Sequence, residues 1–178
     1  MKIKMFCKST KTMAQVLAAV ATLAVTAHAD GNNNEFGTDA GNGLNGSYNV
    51  ANGFQALYNN TTGYNNVANG FATLYYNTTG YYNVANGSEA LYNNTAGYNN
   101  VANGNAALNN NTAGSYNIAL GNYAGQNLAN GDNNIYIGNN GGNQAETGII
   151  RLGMTGTHTN VFIAASAASL WAAAPTPW

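Results

Sequence analysis

Charge is scarce in this chain: five Lys and Arg and six Asp and Glu make up 6% of its 178 residues. Ordinary soluble domains carry about a quarter charged residues. So few charges exclude a nucleic-acid binder, which needs a basic surface to displace counterions, and an extended acidic tail, which needs like charges to stay open. Cysteine is nearly missing as well, with Cys7 alone, so no disulfide framework can form within one copy and stability must come from packing and backbone hydrogen bonds. What is abundant instead is Asn, 34 residues, and Gly, 22 residues.

The charges that exist are unevenly placed. Lys2, Lys4, Lys8 and Lys11 precede the apolar run MAQVLAAVATLAVTA (residues 13–27), which ends in Ala27-His28-Ala29. That order predicts a helical secretory signal peptide over residues 1–29, cleaved at the small residues Ala27 and Ala29. The run is shorter than the roughly 20 residues of a spanning helix, so no membrane span is expected in the mature chain. Cleavage leaves Arg151 against Asp30, Glu35, Asp39, Glu89, Asp132 and Glu146, and no thiol. An exported protein, extracellular or at a bacterial cell surface, is the expectation.

The body of the chain is a repeat. NVANG begins at Asn49, Asn66, Asn83 and Asn100, NIALG at Asn117 and NIYIG at Asn134, always 17 residues apart. After that the spacing shortens, with IIRLG ending at Gly153 and NVFIA at residues 160–164. FGTDAG at residues 36–41 resembles LGNYAG at residues 120–125 and suggests an imperfect first copy within residues 30–48. Gly at Gly53, Gly63 and their equivalents, each costing a helix about 1 kcal/mol relative to Ala, excludes helical repeats. Two short extended segments per repeat, roughly NVAN and QALY, joined by Gly and Asn corners, predict an all-β fold. The expected architecture is a parallel β-solenoid, or β-roll, of about six coils over residues 49–164, ending in an irregular tail over residues 165–178. Such a column stands about 30 Å tall at the usual strand spacing.

Two aliphatic columns are the expected core: Val50, Val67, Val84, Val101, Ile118 and Ile135, and Leu57, Leu74, Leu91 and Leu108. Alternation along a strand then puts Asn52, Asn69, Asn86 and Asn103 inside with the Val column as a hydrogen-bonded ladder. By the same rule Ala51, Ala68, Ala85, Ala102 and Ala119 face outward or toward a partner. Tyr58, Tyr75 and Tyr92 recur at one corner and Tyr64, Tyr81 and Tyr98 at another. Rings that combine an apolar face with a polar tip are candidate contacts for a polysaccharide or a host surface protein.

NIALGNYAGQNLANGDNNIYIG, residues 117–138, resembles the head repeat of trimeric autotransporter adhesins. That resemblance implies a left-handed β-roll, a homotrimer of chains lying side by side, and a role in attaching bacteria to surfaces. The NVANG copies and the closing IIRLGMTGTHTNVFIA are also similar to repeats that precede a C-terminal tail-spike-type chaperone domain. A non-catalytic spacer of such a fibre is therefore the alternative reading, with its binding or chaperone domain elsewhere. In NVANG an Asn stands at the family's second aliphatic position, and ASAASLWAAAPTPW at the end holds neither stalk heptads nor anchor strands. Any outer-membrane anchor is then expected to be missing or separate.

Chemistry finds little to use. His158 is the one histidine of the mature chain, without cysteine or paired acids beside it, and Glu89 and Asp132 are the only charges in the five regular coils. Paired carboxylates for glycoside hydrolysis are not evident. Asp30-Gly31-Asn32-Asn33-Asn34 opens like a calcium loop but has no Gly at its sixth position and no Glu at its twelfth, so it reads as a flexible segment. Sequences such as Asn77-Thr78-Thr79 match the glycosylation pattern and read as turns. No enzyme activity, cofactor or metal is expected.

Overall fold

The computed structural model describes residues 33–43 and 45–157. Within them the chain winds as an all-β parallel solenoid. One three-residue strand per coil forms a single sheet in chain order: β1 (Asn34–Phe36), β2 (Val50–Asn52), β3 (Val67–Asn69), β4 (Val84–Asn86), β5 (Val101–Asn103), β6 (Ile118–Leu120), β7 (Ile135–Ile137) and β8 (Ile150–Leu152). Every strand pairs in parallel with the next, and Val50, Val67, Val84, Val101, Ile118, Ile135 and Ile150 lie level in successive coils. β1 joins the same register, Phe36 opposite Asn52, so the imperfect copy at FGTDAG is a true coil.

Sequence reading and structure part over which side chains face inward. From β2 to β7 the fully buried member of each strand is the middle one: Ala51, Ala68, Ala85, Ala102, Ala119 and Tyr136. Val50, Val67, Val84, Val101, Ile118 and Ile135 are not core residues but stand on the outer face, half-buried or exposed, with Val84 and Ile118 each 37% accessible. Asn52, Asn69, Asn86 and Asn103 share that outer face, where Asn69 donates to Asn86 Oδ1 at 2.8 Å. The cause is width. Leu57, Leu74, Leu91 and Leu108 are fully buried and share one core cluster with these Ala; the Leu fill the interior, so a β-branched side chain in place of the Ala would overpack it. Val remains favourable on the outside because its branched Cβ suits extended backbone.

With Ala inside, the Asn one position before each strand also points inward, since side chains alternate. Asn49, Asn66, Asn83, Asn100, Asn117 and Asn134 are all buried. The backbone N–H of Asn66 donates to Asn49 Oδ1 at 3.0 Å, and its Nδ2 donates to the same oxygen and to Gly80 O. Asn83 and Asn100 repeat this set on the coil before each. A second ladder runs through Asn60, Asn77, Asn94 and Asn111, each donating to the Gly carbonyl three residues on. Both ladders thus meet at the Gly63, Gly80, Gly97 and Gly114 carbonyls.

The segment expected as a second strand is instead a turn. Gln55 and Leu57 have φ of 56° and 52°, and Leu74, Leu91 and Leu108 repeat the left-handed conformation at 52°, 51° and 50°. Its amides therefore pair alternately with both neighbouring coils: Gln55 N–H donates back to Thr38 O and Leu57 N–H forward to Thr73 O. A left-handed Leu costs about 1–2 kcal/mol, and complete burial of its side chain offsets this by about 1.5–3 kcal/mol. At the corner before it, Gly53 has φ 136°, and a Cβ there would strike the carbonyl of Gly70 in the next coil.

Two pairs of substitutions test this packing by chemical denaturation. Val84→Ala should cost less than about 1 kcal/mol, while Ala85→Val, which adds bulk inside, should cost about 1–3 kcal/mol; the opposite order contradicts the assignment of faces. Asn94→Leu should be more damaging than Asn111→Leu by at least about 1 kcal/mol. Asn94 is bonded above and below, whereas Asn111 Oδ1 has no partner and the next coil has Leu128, itself buried, in place of Asn.

Candidate functional site

Rings recur at the corners because the repeat places them one coil apart, and the coil rise brings them within stacking distance. Tyr58, Tyr75 and Tyr92 stack with centroids 5.1 and 5.2 Å apart. Tyr64, Tyr81 and Tyr98 stack at 5.0 and 4.8 Å. Five of the six are half-buried and Tyr64 is exposed. Tyr75 and Tyr81 are covered by rings on both faces and the other four on one, so within each column mainly edges and hydroxyls meet solvent. Tyr76 packs edge-on against Tyr75 and Tyr92, at 4.7 and 5.2 Å. Burial first, and then the neighbouring Tyr76 hydroxyl, raises the pKa of Tyr92 above its ordinary value. Tyr98 is raised chiefly by Tyr116, so both phenols stay neutral at physiological pH.

Further ring positions come from the same periodicity and were not singled out from sequence. Phe54 and Phe71 stack at 5.5 Å and are exposed. Tyr82 sits edge-on to Tyr64 and Tyr81, and Tyr116 to Tyr98. Aligning every position of the coil, and not only the most frequent letters, is the signal that finds them.

The far end of the described solenoid carries a cluster of ionised groups in contact. Three exchanges create it: Gly125 replaces the Leu of the inner turn, Leu128 replaces the ladder Asn, and Tyr136 replaces the inner Ala. Tyr136 fills the space that Gly125 leaves, since a Cβ on Gly125 would press on the side chains of Tyr136 and Leu108. Its hydroxyl donates to Glu146 Oε1 at 2.9 Å, Gly142 N–H donates to the same oxygen at 2.7 Å, and Arg151 Nη2 donates to Oε2 at 2.7 Å. The Glu146 side chain is 5% accessible and that of Arg151 39%. Arg151, helped by Gly142 and Tyr136 and opposed by burial, holds the Glu146 carboxyl down at about 2, while burial pushes the Tyr136 phenol upward. With its carboxylate buried and paired, the cluster closes this end of the interior.

Among the described residues no group of three or more His, Cys, Asp or Glu converges to hold a metal ion, and no helix is long and apolar enough to cross a membrane. Ala27, Ala29, the loop from Asp30, His158 and residues 160–164 lie outside the described residues or at their margin. Comparison with protein-family models, with curated proteins and with solved structures returns no match.

The low carboxyl value of Glu146 sets a pH window. Its ordinary value is 4.5 and its folded value about 2, so the stability it contributes is complete above about pH 4.5 and disappears as pH falls toward 2. Melting temperature followed from pH 6 to pH 2 should fall more steeply for the native chain than for Glu146→Gln, whose curve starts lower. Parallel curves would show that the carboxylate does not hold the cap.

Proposed function

We propose that this chain is a structural and adhesive repeat module, exported to the cell surface or beyond, which works by many weak contacts along its repeating faces. The observation that carries the reading is the run of ring edges and hydroxyls along Tyr58, Tyr75 and Tyr92 and along Tyr64, Tyr81 and Tyr98, aligned coil upon coil. A column of amphipathic tips on a scaffold with almost no charge suits a neutral or mixed surface, such as polysaccharide or host protein, better than a polyanion. The resemblance of residues 117–138 to adhesin head repeats supports the same reading.

Self-association belongs to this proposal, through a different face from the one alternation first suggested. The Ala column lies inside and is not available to a partner. The outer face of β6, β7 and β8 instead sets Ile118, Leu120, Ile135, Ile137, Ile150 and Leu152 side by side, with Ile137 42% and Ile150 67% accessible. Contiguous apolar surface of this kind is uncommon on monomers and marks association. In a homotrimer this face is covered by the neighbouring chains and the Tyr corners remain outside.

The mass of the purified protein in solution tests the assembly: the native chain should run as a trimer and Leu120→Lys with Ile137→Lys as a folded monomer. A native monomer removes this part of the proposal. Replacing Tyr58, Tyr75 and Tyr92 by Ser should reduce retention on immobilised host-cell surface protein or polysaccharide with the circular dichroism spectrum unchanged, and unaltered retention counts against the ladder.

A further inference from the structure

One position of the coil alternates with a period of two coils instead of one. Immediately before each ladder Asn stand Tyr48, Asn65, Tyr82, Asn99, Tyr116 and Asn133, so Tyr and Asn take turns. The backbone does not distinguish them. All six have a left-handed conformation, with φ between 54° and 62°. From Asn65 onward each donates its N–H to the equivalent carbonyl of the previous coil, at 3.0 or 3.1 Å.

In that conformation Asn is cheap and Tyr is strained. The turn itself therefore gives no reason for Tyr in every second coil, and a strained residue that the fold does not require points to a use on the surface. The three Tyr are 61%, 51% and 51% accessible. Tyr82 stands at 76° and 75° to the stacked rings of Tyr64 and Tyr81, and Tyr116 at 75° to Tyr98. Because those stacked rings follow one another along the solenoid, a ring at right angles to them runs along the axis. Beside Tyr48 an open depression of about 330 Å³ lies where Ser47 takes the place of a ladder Tyr, with Tyr64 on its other side.

We infer that Tyr48, Tyr82 and Tyr116, with the Asn between them, form a linear track for an extended, neutral β-1,4-linked glycan. Two coils rise about 9.6 Å at the usual strand spacing, close to the length of one disaccharide unit in such a chain. In a two-fold β-1,4-linked glycan each sugar is turned over relative to the last, so the same ring face recurs at every second sugar. One sugar of each pair then lies over a Tyr ring, and the next lies over Asn65 or Asn99, whose amides reach its hydroxyls. The edge is uncharged up to Asp132, whose Oδ1 already accepts the Ser115 N–H at 2.7 Å, which favours a neutral polymer over an acidic one. α-Linked glycans coil and do not keep this period.

This inference rests on the reading of the chain as an attachment module, and retention of the purified protein on insoluble cellulose and chitin, with starch granules as the α-linked control, tests it. Asn already occupies the same conformation in alternate coils, so Tyr48→Asn, Tyr82→Asn and Tyr116→Asn should fold as the native chain does, checked by circular dichroism. The native protein should be retained on cellulose or chitin and not on starch. Each single variant should bind about two- to tenfold more weakly, and the triple variant should be lost to the flow-through. Equal retention of the triple variant, or passage of the native chain through both β-1,4 glycans, overturns the track. If the native chain passes through both glycans yet adheres to host-cell surface protein, the track fails and the attachment reading stands; if it adheres to nothing, both fail.

Discussion

Everything in this structure depends on one hydrogen bond repeated coil after coil, from the backbone N–H of a buried Asn to the side-chain oxygen of the Asn 17 residues earlier. A coil whose strand is three residues long cannot be held by its sheet alone. It must also turn a corner before the strand, where a buried N–H is left without a sheet partner and desolvation is costly. The Asn amide resolves this in one step, because its oxygen accepts the N–H of the next coil and its nitrogen reaches a carbonyl across the corner. Deleting a side chain from the ladder therefore unpairs groups in two coils at once, and this makes the column cooperative along its axis.

The ladders also explain why the coil tolerates so little apolar mass. Its interior holds Leu, Ala and amides, with no large apolar side chain in the regular coils beyond Leu. Hydrogen bonding inside a narrow, dry roll does what a thick hydrophobic core does elsewhere. Where the ladder of Asn60, Asn77, Asn94 and Asn111 gives way to Leu128, the interior changes character, and Tyr136, Glu146 and Arg151 close it with a satisfied ion pair. Freed from core duty, Val, Ile and Tyr are displayed outside in rows whose spacing the backbone fixes, which suits repeated contact better than chemistry.

Much of this could be read from sequence, and the rest could not for definite reasons. The 17-residue period, the Gly corners and the parallel stacking follow from spacing, and the coil at FGTDAG from its likeness to LGNYAG. The parity of the strand does not. Hydrophobicity assigns Val50 to the interior and Asn49 to the outside, and a shift of one residue inverts every side chain. Only the geometry shows that an amide bonded to three groups is better buried than a Val for which there is no room. Leu57 in a left-handed turn is likewise illegible, because its burial and its strain are both consequences of the neighbouring coils. For the aromatic residues, alignment at one coil finds the stacked Tyr columns, but only alignment at two coils finds Tyr48, Tyr82 and Tyr116.

The ladder is most directly tested by hydrogen exchange of Asn side-chain amides, followed by nuclear magnetic resonance on the ¹⁵N-labelled protein. The side-chain amides of Asn66, Asn77, Asn83, Asn94 and Asn100 should exchange as slowly as the backbone of β3 to β5, while those of exposed Asn52, Asn103 and Asn122 exchange at the rate of free amides. Equally fast exchange for all Asn side chains would contradict the account, because the amides that join one coil to the next would then be open to water.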